Sequence, residues 1–499
     1  MDASKFTRLA IAAKNRHLQQ LKRTDSVIET IRWQNSDRDP VDSETFRQKL
    51  LTLLSIEGLR HVFDRRKHPL ERILWAVTIA GAVYGALFIG MYQMDHFYAS
   101  PTVTQLDKNY RGWIGNMPAA TFCFRDRFDR SKAINYIKRN NLSTSDDVAD
   151  IERILNLFQV LVNVTVSNFS ALAPFTINDN DNSLPLTNVD ILSVVSAVHP
   201  HHEVAINSFD PVYNDLPIKQ VITERGICYT LNAPLSRLQA TSGVNRDQSA
   251  NSLNVAFSQK PITCAYSKNQ CYMKIDTYES TVSYLLHSPF ELATNDVQFA
   301  VMNETDELVA SYVVLETEAS DRLRDLSVKQ RSCIFYDEKY QGLEIYTYNL
   351  CVMHCRATRA LNLCQCKPHF YPFVDGPTCT IGGLRCLANH PSWHDKHSCR
   401  CLKPCTEIVY YVLSATKSHW AAEGGIPFKQ KASVRWEIVQ PKMRIRRDVL
   451  FTFEDLLVSF GGGIALFVGK NLFAFAEVPI FLVKEAMEKI FFMIKRTRK

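Results

Sequence analysis

Cysteine is the residue type whose chemistry dominates this chain. All fourteen cysteines lie between Cys123 and Cys405. Disulfides persist in oxidising compartments and are rare in the cytosol, so we predict that this region is extracellular and crosslinked. The alternative is zinc, because thiolates at Cys-x-Cys spacing can bind it. An oxidising compartment disfavours zinc, and we expect neither a metal site nor a cofactor.

The spacing of the later cysteines predicts a ladder of disulfides. Cys351 and Cys355 are four residues apart and would share one face of a helix. Cys399 and Cys401 are two apart and would share one face of a strand or extended segment. An antiparallel helix and strand would join them as Cys351–Cys401 and Cys355–Cys399. Sequence alone proves no connectivity, and the set that nests without crossing adds Cys364–Cys386, Cys366–Cys379 and Cys333–Cys405.

No motif of a catalytic site occurs in the sequence. It lacks a Walker phosphate loop, a His-Glu-x-x-His zinc motif and a Gly-x-Ser-x-Gly elbow. The segment His199-Pro-His-His-Glu203 matches none of these spacings, and its proline suits a turn, so we expect a solvated loop there. His287 lies in an apolar run typical of a strand, where we expect a packed, hydrogen-bonded side chain. We therefore predict that the protein is not an enzyme.

Two apolar stretches flank the cysteine region and would hold it at a membrane. Ile73–Tyr92 has no charge and supplies the roughly 20 residues that a transmembrane helix needs. Leu456–Val483 is broken only by Lys470 and Glu477. No short apolar run with a cleavage site stands at the N-terminus, so we expect an uncleaved first span. The predicted organisation is a cytosolic segment (1–72), a first span (73–92), an extracellular domain (93–449, its cysteine-dense part at about 333–405), a second span with the pore (450–483) and a cytosolic tail (484–499).

Flanking charge predicts that both termini are cytosolic, because cytosolic flanks are rich in Lys and Arg. Basic residues cluster before the first span, from Arg60 to Arg72, and after the second, from Lys484 onward. One basic cluster, at 442–447, lies on the predicted outer side; long loops cross the membrane largely regardless of charge. Because the net charge of +7 otherwise comes from scattered residues, we expect no nucleic-acid partner. Four glycosylation sequons fall in the predicted extracellular domain, at Asn141, Asn163, Asn168 and Asn303.

Between the spans, the residue patterns mix helices with strands and predict an α+β domain. The run 152–162 is typical of a helix. The runs 283–287, 308–315, 408–413 and 432–439 are typical of strands.

The second span has the composition of a pore element. Gly461, Gly462, Gly463 and Gly469 would let helices approach closely or let the helix break where its carbonyls face water or an ion. Simple helix packing is the competing interpretation. Lys470 lies roughly 20 Å into the span, and a charge so deep usually faces a bundle interior or a water-filled path. Glu477 is its natural counter-charge. Since one chain with two spans cannot enclose a pore, any channel must be an oligomer.

Six motifs distributed over nearly the whole chain resemble those of the degenerin, epithelial sodium channel and acid-sensing ion channel superfamily, most closely its insect pickpocket branch. The first follows the first span, and the last three belong to the cysteine block. The motifs are Met117-Pro-Ala-Ala-Thr-Phe-Cys123, Gly226-Ile-Cys-Tyr-Thr-Leu-Asn232, Leu286-His-Ser-Pro289, Val328-Lys-Gln-Arg-Ser-Cys333, Cys364-Gln-Cys-Lys-Pro-His-Phe-Tyr-Pro372 and Cys401-Leu-Lys-Pro-Cys405.

The resemblance implies a trimer whose extracellular part has the "clenched hand" fold of palm, β-ball, finger, thumb and knuckle. It implies the disulfide Cys123–Cys228, which leaves Cys264–Cys271 as a local pair. It further implies a plasma-membrane cation channel that is sodium-selective, voltage-independent and amiloride-sensitive, with sodium as the permeant ion, gated through its extracellular domain in a sensory or epithelial role. The family motifs correspond here to a gate at Ser459–Gly462, a selectivity motif at Gly469, Lys470 and Asn471, and a cytosolic gating motif at Glu57 and Gly58.

Two departures from the family pattern leave alternatives open. The filter reads Gly-Lys-Asn instead of Gly-x-Ser, and Glu57 replaces the histidine of the cytosolic motif. Three lysines near the axis of a homotrimer would repel one another. The chain could therefore be a non-conducting modulatory subunit of a heterotrimer. A two-span scavenger or adhesion receptor is a further alternative, marked by a lipid tunnel and an unbroken second span. An ATP-gated channel would need extracellular motifs that this sequence lacks.

Overall fold

The computed structural model describes residues 61–62, 67–99, 101–142, 148–175, 190–241, 260–267, 270–278, 281–420, 429–469, 479–480, 483–484 and 486–487. The chain divides into two compact units. Residues 1–99 and 451–499 form the spanning unit, and residues 100–450 form the large unit.

The spanning unit contains two long apolar helices, α1 (Pro69–Ala99) and a later helix, Phe453–Val468, which is α8 in chain order. Helix α1 has 31 residues and a mean hydropathy of 2.0, and none of its side chains is buried within the chain. Within the described residues it is the one helix long and apolar enough to cross a membrane. Most of the described part of the second predicted span (450–483) is α8, which has 16 residues.

Glycines of α1 make room for aromatic rings of α8. A side chain at Gly85 would stand 2.8 Å from the Phe467 ring, and one at Gly90 would stand 3.0 Å from the Phe460 ring. Small residues that admit a neighbouring helix are typical of packing inside membranes. The closest approaches between α1 and α8 are therefore at glycines of α1.

The large unit combines sixteen described strands with six short to medium helices. The helices are α2 (Arg130–Arg139), α3 (Val148–Asn163), α4 (Ile191–Ala197), α5 (Val328–Arg331), α6 (Tyr348–Cys364) and α7 (Ile381–Ala388). The first eight strands are β1 (Thr102–Asp107), β2 (Ile114–Asn116), β3 (Ala119–Phe124), β4 (Val204–Ser208), β5 (Lys219–Thr223), β6 (Gly226–Leu231), β7 (Thr263–Ala265) and β8 (Cys271–Thr277). The others are β9 (Val282–His287), β10 (Ala300–Met302), β11 (Asp306–Ala319), β12 (Cys333–Ile334), β13 (Lys403–Pro404), β14 (Glu407–His419), β15 (Ala432–Val439) and β16 (Arg444–Val449).

These strands form two principal sheets. The seven-stranded sheet has the order β1-β16-β11-β15-β8-β4, and β14 pairs with β11. The five-stranded sheet has the order β10-β9-β3-β6-β5. Strand β1, which follows the first span, pairs antiparallel with β16, which precedes the second, from Thr102 opposite Val449 to Asp107 opposite Arg444. The strand that follows α1 in sequence and the strand that precedes α8 are therefore hydrogen-bonded to each other.

The large unit has two main hydrophobic cores. One lies among the helices and includes Phe158 of α3 and Trp393. The other lies around the sheets and includes Phe122 of β3 and Trp436 of β15. The predicted helix at 152–162 lies within α3, and the predicted strands lie within β9, β11, β14 and β15. The apolar spacing of these segments therefore predicts their structure correctly.

Candidate functional site

Helix α8 presents two different faces along its length. Phe460 and Phe467 contact the glycines of α1. A Cβ atom added at Gly463 would lie 3.8 Å from the Ile89 side chain. Ser459, Gly462 and Gly469 recur at helical spacing on another stripe of the same helix. Ser459 is half-buried and Gly462 is exposed. The predicted gate residues therefore lie on a stripe that differs from the contact with α1.

Packing within the chain does not account for two of the three consecutive glycines. Side chains built at Gly461 and Gly462 would meet no atom of the described residues within 4 Å. Leu466, close to the same stripe as Gly462, is 78% exposed. Among the described residues, nothing covers the small-residue surface of α8 at Gly461 and Gly462.

Gly469 ends α8 in the left-handed conformation. Its φ is +69°, and its N–H donates to the carbonyl of Ala465. Only glycine adopts this conformation without steric cost. The helix therefore stops at the first residue of the predicted selectivity motif. Lys470, Asn471, Glu477, Glu57 and Gly58 lie outside the described residues.

The start of α8 carries a feature that the sequence analysis missed. The Thr452 hydroxyl accepts from the Asp455 N–H, and the Asp455 carboxylate accepts from the Thr452 N–H, which is a capping box. Glu454 beside it is exposed. The signal that could have found it is Thr-x-x-Asp directly before an apolar run. The capping box fixes the residue at which α8 begins, and Glu454 and Asp455 place acidic groups in its first turn.

Three of the family-like motifs form adjacent strands of the five-stranded sheet. The first motif contains β3, the second contains β6 and the third ends β9. Strand β3 lies between the other two, with Thr121 opposite both Thr230 and Leu285. Segments more than a hundred residues apart in sequence thus meet in one layer.

Polar side chains link these three strands inside the sheet. The Nε2 atom of His287 lies 2.9 Å from the Thr121 hydroxyl, which lies 3.2 Å from the Thr230 hydroxyl. Nδ1 of His287 is 2.9 Å from the Ser288 carbonyl, so Nδ1 donates and Nε2 accepts. Burial lowers the pKa of His287 to about 4. The histidine is therefore neutral at physiological pH and serves as a structural connector, as the sequence analysis expected.

The asparagine that ends the second motif joins two loops. Asn232 has a φ of +56°. Its side-chain N–H donates to the Met117 carbonyl at 2.7 Å, and its side-chain oxygen accepts from the Ile262 N–H at 2.8 Å. Asparagine tolerates the left-handed region better than most residues. This combination of backbone and side-chain requirements explains why an asparagine suits this position.

Seven disulfides join all fourteen cysteines, which leaves no thiolate for zinc. Helix α6 carries Cys351, Cys355 and Cys364, and its partner segment at Cys399 is extended. The pairs are the seven given in the sequence analysis: Cys123–Cys228, Cys264–Cys271, Cys333–Cys405, Cys351–Cys401, Cys355–Cys399, Cys364–Cys386 and Cys366–Cys379.

A buried ion network attaches α6 to the rest of the large unit. Arg356 is 1% exposed and donates to Glu224 at 2.7 Å, to Asp296 at 2.8 Å and to the His394 carbonyl at 2.7 Å. Burial and the neighbouring Glu224 raise the pKa of Tyr371, whose hydroxyl donates to Glu224 at 2.7 Å. Every charged group of this network has a partner, as buried charges require. Sequence reasoning did not find this network, because its carboxylates come from a turn and a loop with no pattern.

A second carboxylate holds the start of α6. The N–H groups of Tyr348 and Asn349 donate to the two oxygens of Glu291, at 3.1 and 3.2 Å. These are orphan donors of the first helical turn, and a carboxylate also suits the positive end of the helix dipole. Glu291 lies just after the motif that ends β9. The loop that follows β9 and the cysteine-bearing helix α6 are thus in direct contact.

Burial raises the pKa of Glu291 to about 7. The charge of Glu407 also raises this pKa, whereas the hydrogen bonds from the helix N–H groups lower it. Tyr336, Tyr346 and His287 are further titratable groups near Glu291. Between pH 4.5 and 7 the folded protein binds a proton that the unfolded chain has lost, so stability falls as pH rises through this window. We expect Glu291→Gln to remove this decline, worth roughly 3 kcal/mol at most. The measurement is thermal unfolding of the full-length protein in detergent at pH 5 and pH 8.

The control for Glu291→Gln is Glu344→Gln, which changes an exposed carboxylate paired with Lys339. It should leave the pH dependence of unfolding unchanged. Equal pH dependence in the parent and in Glu291→Gln would show that Glu291 does not titrate in this window.

The histidine-rich segment corrects one expectation. His199 and His202 are 3% and 6% exposed, whereas His201 and Glu203 are exposed, so the expected solvated loop is buried at two of its histidines. The His202 ring stacks on Phe124 at 4.1 Å, and Tyr229 packs edge-on against both histidines. Burial lowers the pKa of His199 to about 4. Aromatic residues of β3 and β6 bury these two histidines. No local sequence pattern reveals these aromatic neighbours.

Two arginines of the basic cluster at 442–447 form ion pairs with carboxylates of the large unit. Arg444 pairs with Glu316 at 2.8 Å and Glu318 at 3.1 Å, and its guanidinium lies 4.2 Å from the Trp113 ring centre. Arg446 lies 4.0 Å from Asp448. These partners on β11 and β16 explain why basic residues stand at this position.

Comparison with known proteins agrees with the motifs. The sequence model described as "Amiloride-sensitive sodium channel" matches residues 50–481. The chain is 22% identical over 478 residues to Pickpocket protein 19 of Drosophila melanogaster, covering 88% of this chain and 91% of that protein. It is 27% identical over 227 residues to sodium channel protein Nach of Drosophila virilis, covering 42% of this chain and 59% of that protein. The second match thus spans less than two thirds of its relative. A cryo-EM structure of a proton-activated chloride channel aligns with a TM-score of 0.28 and 5% identity, over 82% of this chain and 96% of that one, which is too remote to bear on the fold.

Proposed function

Because the chain belongs to the amiloride-sensitive sodium channel family, we propose that it is a pore-forming subunit of a voltage-independent, amiloride-sensitive sodium channel gated through its large unit. Members of this family are two-span membrane proteins with a large extracellular domain that assemble into multimeric channels, and they are channels and not enzymes. The proposal adds a trimeric assembly, a clenched-hand arrangement of the large unit, and a sensory or epithelial role at the plasma membrane.

One observation carries the proposal. The stripe of α8 that contains Ser459 and Gly462 is distinct from its contact with α1, and the helix stops at the left-handed Gly469. A glycine-lined helix that breaks inside the membrane needs protein or water around the freed carbonyls. Equivalent helices of other subunits, arranged around an aqueous path, would provide both.

The proposed topology places both termini in the cytosol and the sequons outside. In its favour, Asn141, Asn163, Asn168 and Asn303 are all exposed on the large unit. Digestion of the membrane-expressed protein with a glycosidase, on the parent and on Asn→Gln variants, tests this orientation. A chain whose mobility does not change in any variant would contradict an extracellular large unit.

Electrophysiology with ion substitution tests the function. The chain would be expressed in oocytes alone and with related pickpocket subunits, with external sodium exchanged for N-methyl-D-glucamine and with amiloride added. We expect an inward current that is carried by sodium, independent of voltage and reduced by amiloride. Absence of sodium current in every combination would contradict the proposal.

The lysine in the predicted filter favours one alternative function, a modulatory subunit. Like charges about 4 Å apart repel by roughly 1 kcal/mol in water and roughly 4 kcal/mol at an intermediate dielectric. Three copies of Lys470 in a homotrimer would therefore oppose cation flux. Silence of the chain alone, with altered current when a conducting relative is co-expressed, would support this alternative.

We expect Lys470→Ser to raise the cation conductance severalfold, because it removes a positive charge from the ion path. Single-channel current of the parent and the variant measures the effect in the same subunit combination. The matched control is Lys484→Ser, in the predicted cytosolic flank. An unchanged single-channel current in Lys470→Ser would show that Lys470 does not face the ion path.

A further inference from the structure

A cavity of about 380 Å³ lies in the large unit between α7 and the short helical turn Phe169–Leu172. From α7 it is lined by Gly382, Arg385 and Asn389, which recur at helical spacing and share one face. From the turn it is lined by Phe169 and Ser170. A space of this volume is in the range of sites for small ligands.

Aromatic contacts and a disulfide hold the walls of this cavity in place. The Phe169 ring stacks between Phe370, at 6.0 Å, and Trp393, at 5.7 Å. Cys386 lines the cavity and is bonded to Cys364 of α6. Aromatic packing on one side and a disulfide on the other therefore preserve its shape.

The polar groups of the cavity are suited to an anion. Arg385 is half-buried, and among the residues that the structure describes no carboxylate lines the cavity with it. Ser170 and Asn389 add a hydroxyl and an amide, and both can donate hydrogen bonds. Ala173 and Ala388 make the rest of the lining apolar. A guanidinium binds a carboxylate through two parallel hydrogen bonds, and the apolar lining suits a small hydrocarbon group.

We propose that this cavity binds the carboxylate of a small extracellular ligand with an apolar side chain, and that Arg385 is the residue that binds the anion. The ligand is either an amino-acid derivative or the C-terminus of a short peptide. Gly382 leaves the space for it, because a side chain there would meet only the Thr380 hydroxyl, at 3.7 Å. This site goes beyond sodium conduction, and its test needs no current.

Calorimetric titration of the full-length protein in detergent tests the site with three probes. These are N-acetyl-leucine, the tripeptide Ala-Ala-Leu and the neutral N-acetyl-leucinamide. We expect saturable binding of at least one carboxylate probe, and binding of the amide that is weaker by about tenfold or more, because a charge-assisted hydrogen bond is lost. Binding of the tripeptide alone would identify a peptide terminus as the ligand, and binding of N-acetyl-leucine would identify an amino-acid derivative.

Three variants separate charge from shape. Arg385→Gln should weaken binding by about tenfold or more, whereas Arg385→Lys should retain much of it. Gly382→Leu should abolish binding by filling the cavity while leaving Arg385 in place. Unchanged unfolding temperatures would show that the three variants remain folded. Equal affinity in Arg385→Gln and the parent, or in the amide and the acid, would overturn the proposal, as would absence of binding by both carboxylates up to about 10 mM.

The sequon at Asn168 allows a further test of whether the cavity is open to ligand in the native protein. Phe169 and Ser170 of this sequon line the cavity. A glycan at Asn168 would stand beside the opening. The titration is repeated on Asn168→Gln. The same affinity in this variant supports a ligand site that is open in the native protein. Binding that occurs only in Asn168→Gln would overturn the proposal, since the cavity would then be covered by the glycan.

Discussion

Replacing Ser459 by phenylalanine is expected to hold the channel open and to give sodium current without a stimulus. Ser459 lies on the stripe of α8 that is distinct from its contact with α1. In the proposed assembly, this stripe would approach its symmetry mates most closely in the closed state. An oversized side chain in a packed position costs about 1–3 kcal/mol. Such a cost to the closed state alone would multiply the ratio of open to closed channels by roughly 5 to 150.

Basal current before any stimulus, blocked by amiloride and lost on sodium replacement, measures this effect. The matched control is Leu457→Phe, two residues earlier on another side of the helix and 55% exposed. It should leave the basal current near that of the parent. If Ser459→Phe gives no constitutive current in any combination of subunits, the alignment of α8 with a gate is wrong.

Arg356→Met is expected to give the largest loss of stability among single substitutions in the large unit. It would leave Glu224, which is fully buried, and Asp296 without their cation. Breaking one partner out of a buried ion pair costs about 3–5 kcal/mol, because the remaining charge is uncompensated. The unfolding temperature of the purified protein and its abundance at the cell surface should both fall.

Two further variants of this protein serve as controls for Arg356→Met. Arg359→Met removes a half-buried arginine one turn away on α6, which contacts Ser398 and no buried carboxylate that the structure describes, and should change stability little. Arg356→Met combined with Glu224→Gln and Asp296→Asn removes all three charges and should recover part of the loss, because no buried charge is then unpaired. A single Arg356→Met variant as stable as Arg359→Met would show that the network contributes little.

Several elements of this structure were predictable because local spacing encodes them. The four-residue separation of Cys351 and Cys355 places both on one helical face, and the two-residue separation of Cys399 and Cys401 suits an extended partner. The structure has this helix, this extended segment and these pairs. The apolar run of the first span likewise predicts a long exposed helix, α1, since few other structures accommodate about 20 uncharged apolar residues.

Other features depend on contacts that no local pattern describes. The Arg356 network joins a helix to a turn 132 residues earlier in sequence, and the Glu291 contact joins a loop to a helix 57 residues later. The segment that contains His199 and His202 has the composition of a surface turn, yet these two side chains are buried because Phe124 and Tyr229 pack against them. Burial is a property of the whole assembly of strands, so these residues could not be assigned from their neighbours in sequence.

The sequence by itself determined the family, the crosslinked large unit and the long apolar helix α1, because cysteine spacing, apolar length and short motifs are local and can be recognised without knowledge of the fold. Only the tertiary structure decided which glycines pack and which remain open. Gly85 and Gly90 receive the rings of α8, whereas Gly461 and Gly462 meet nothing in the described part of the chain. The physical reason is that a glycine contributes no side chain of its own, so its role depends on what lies opposite, and that is known only once the helices are placed.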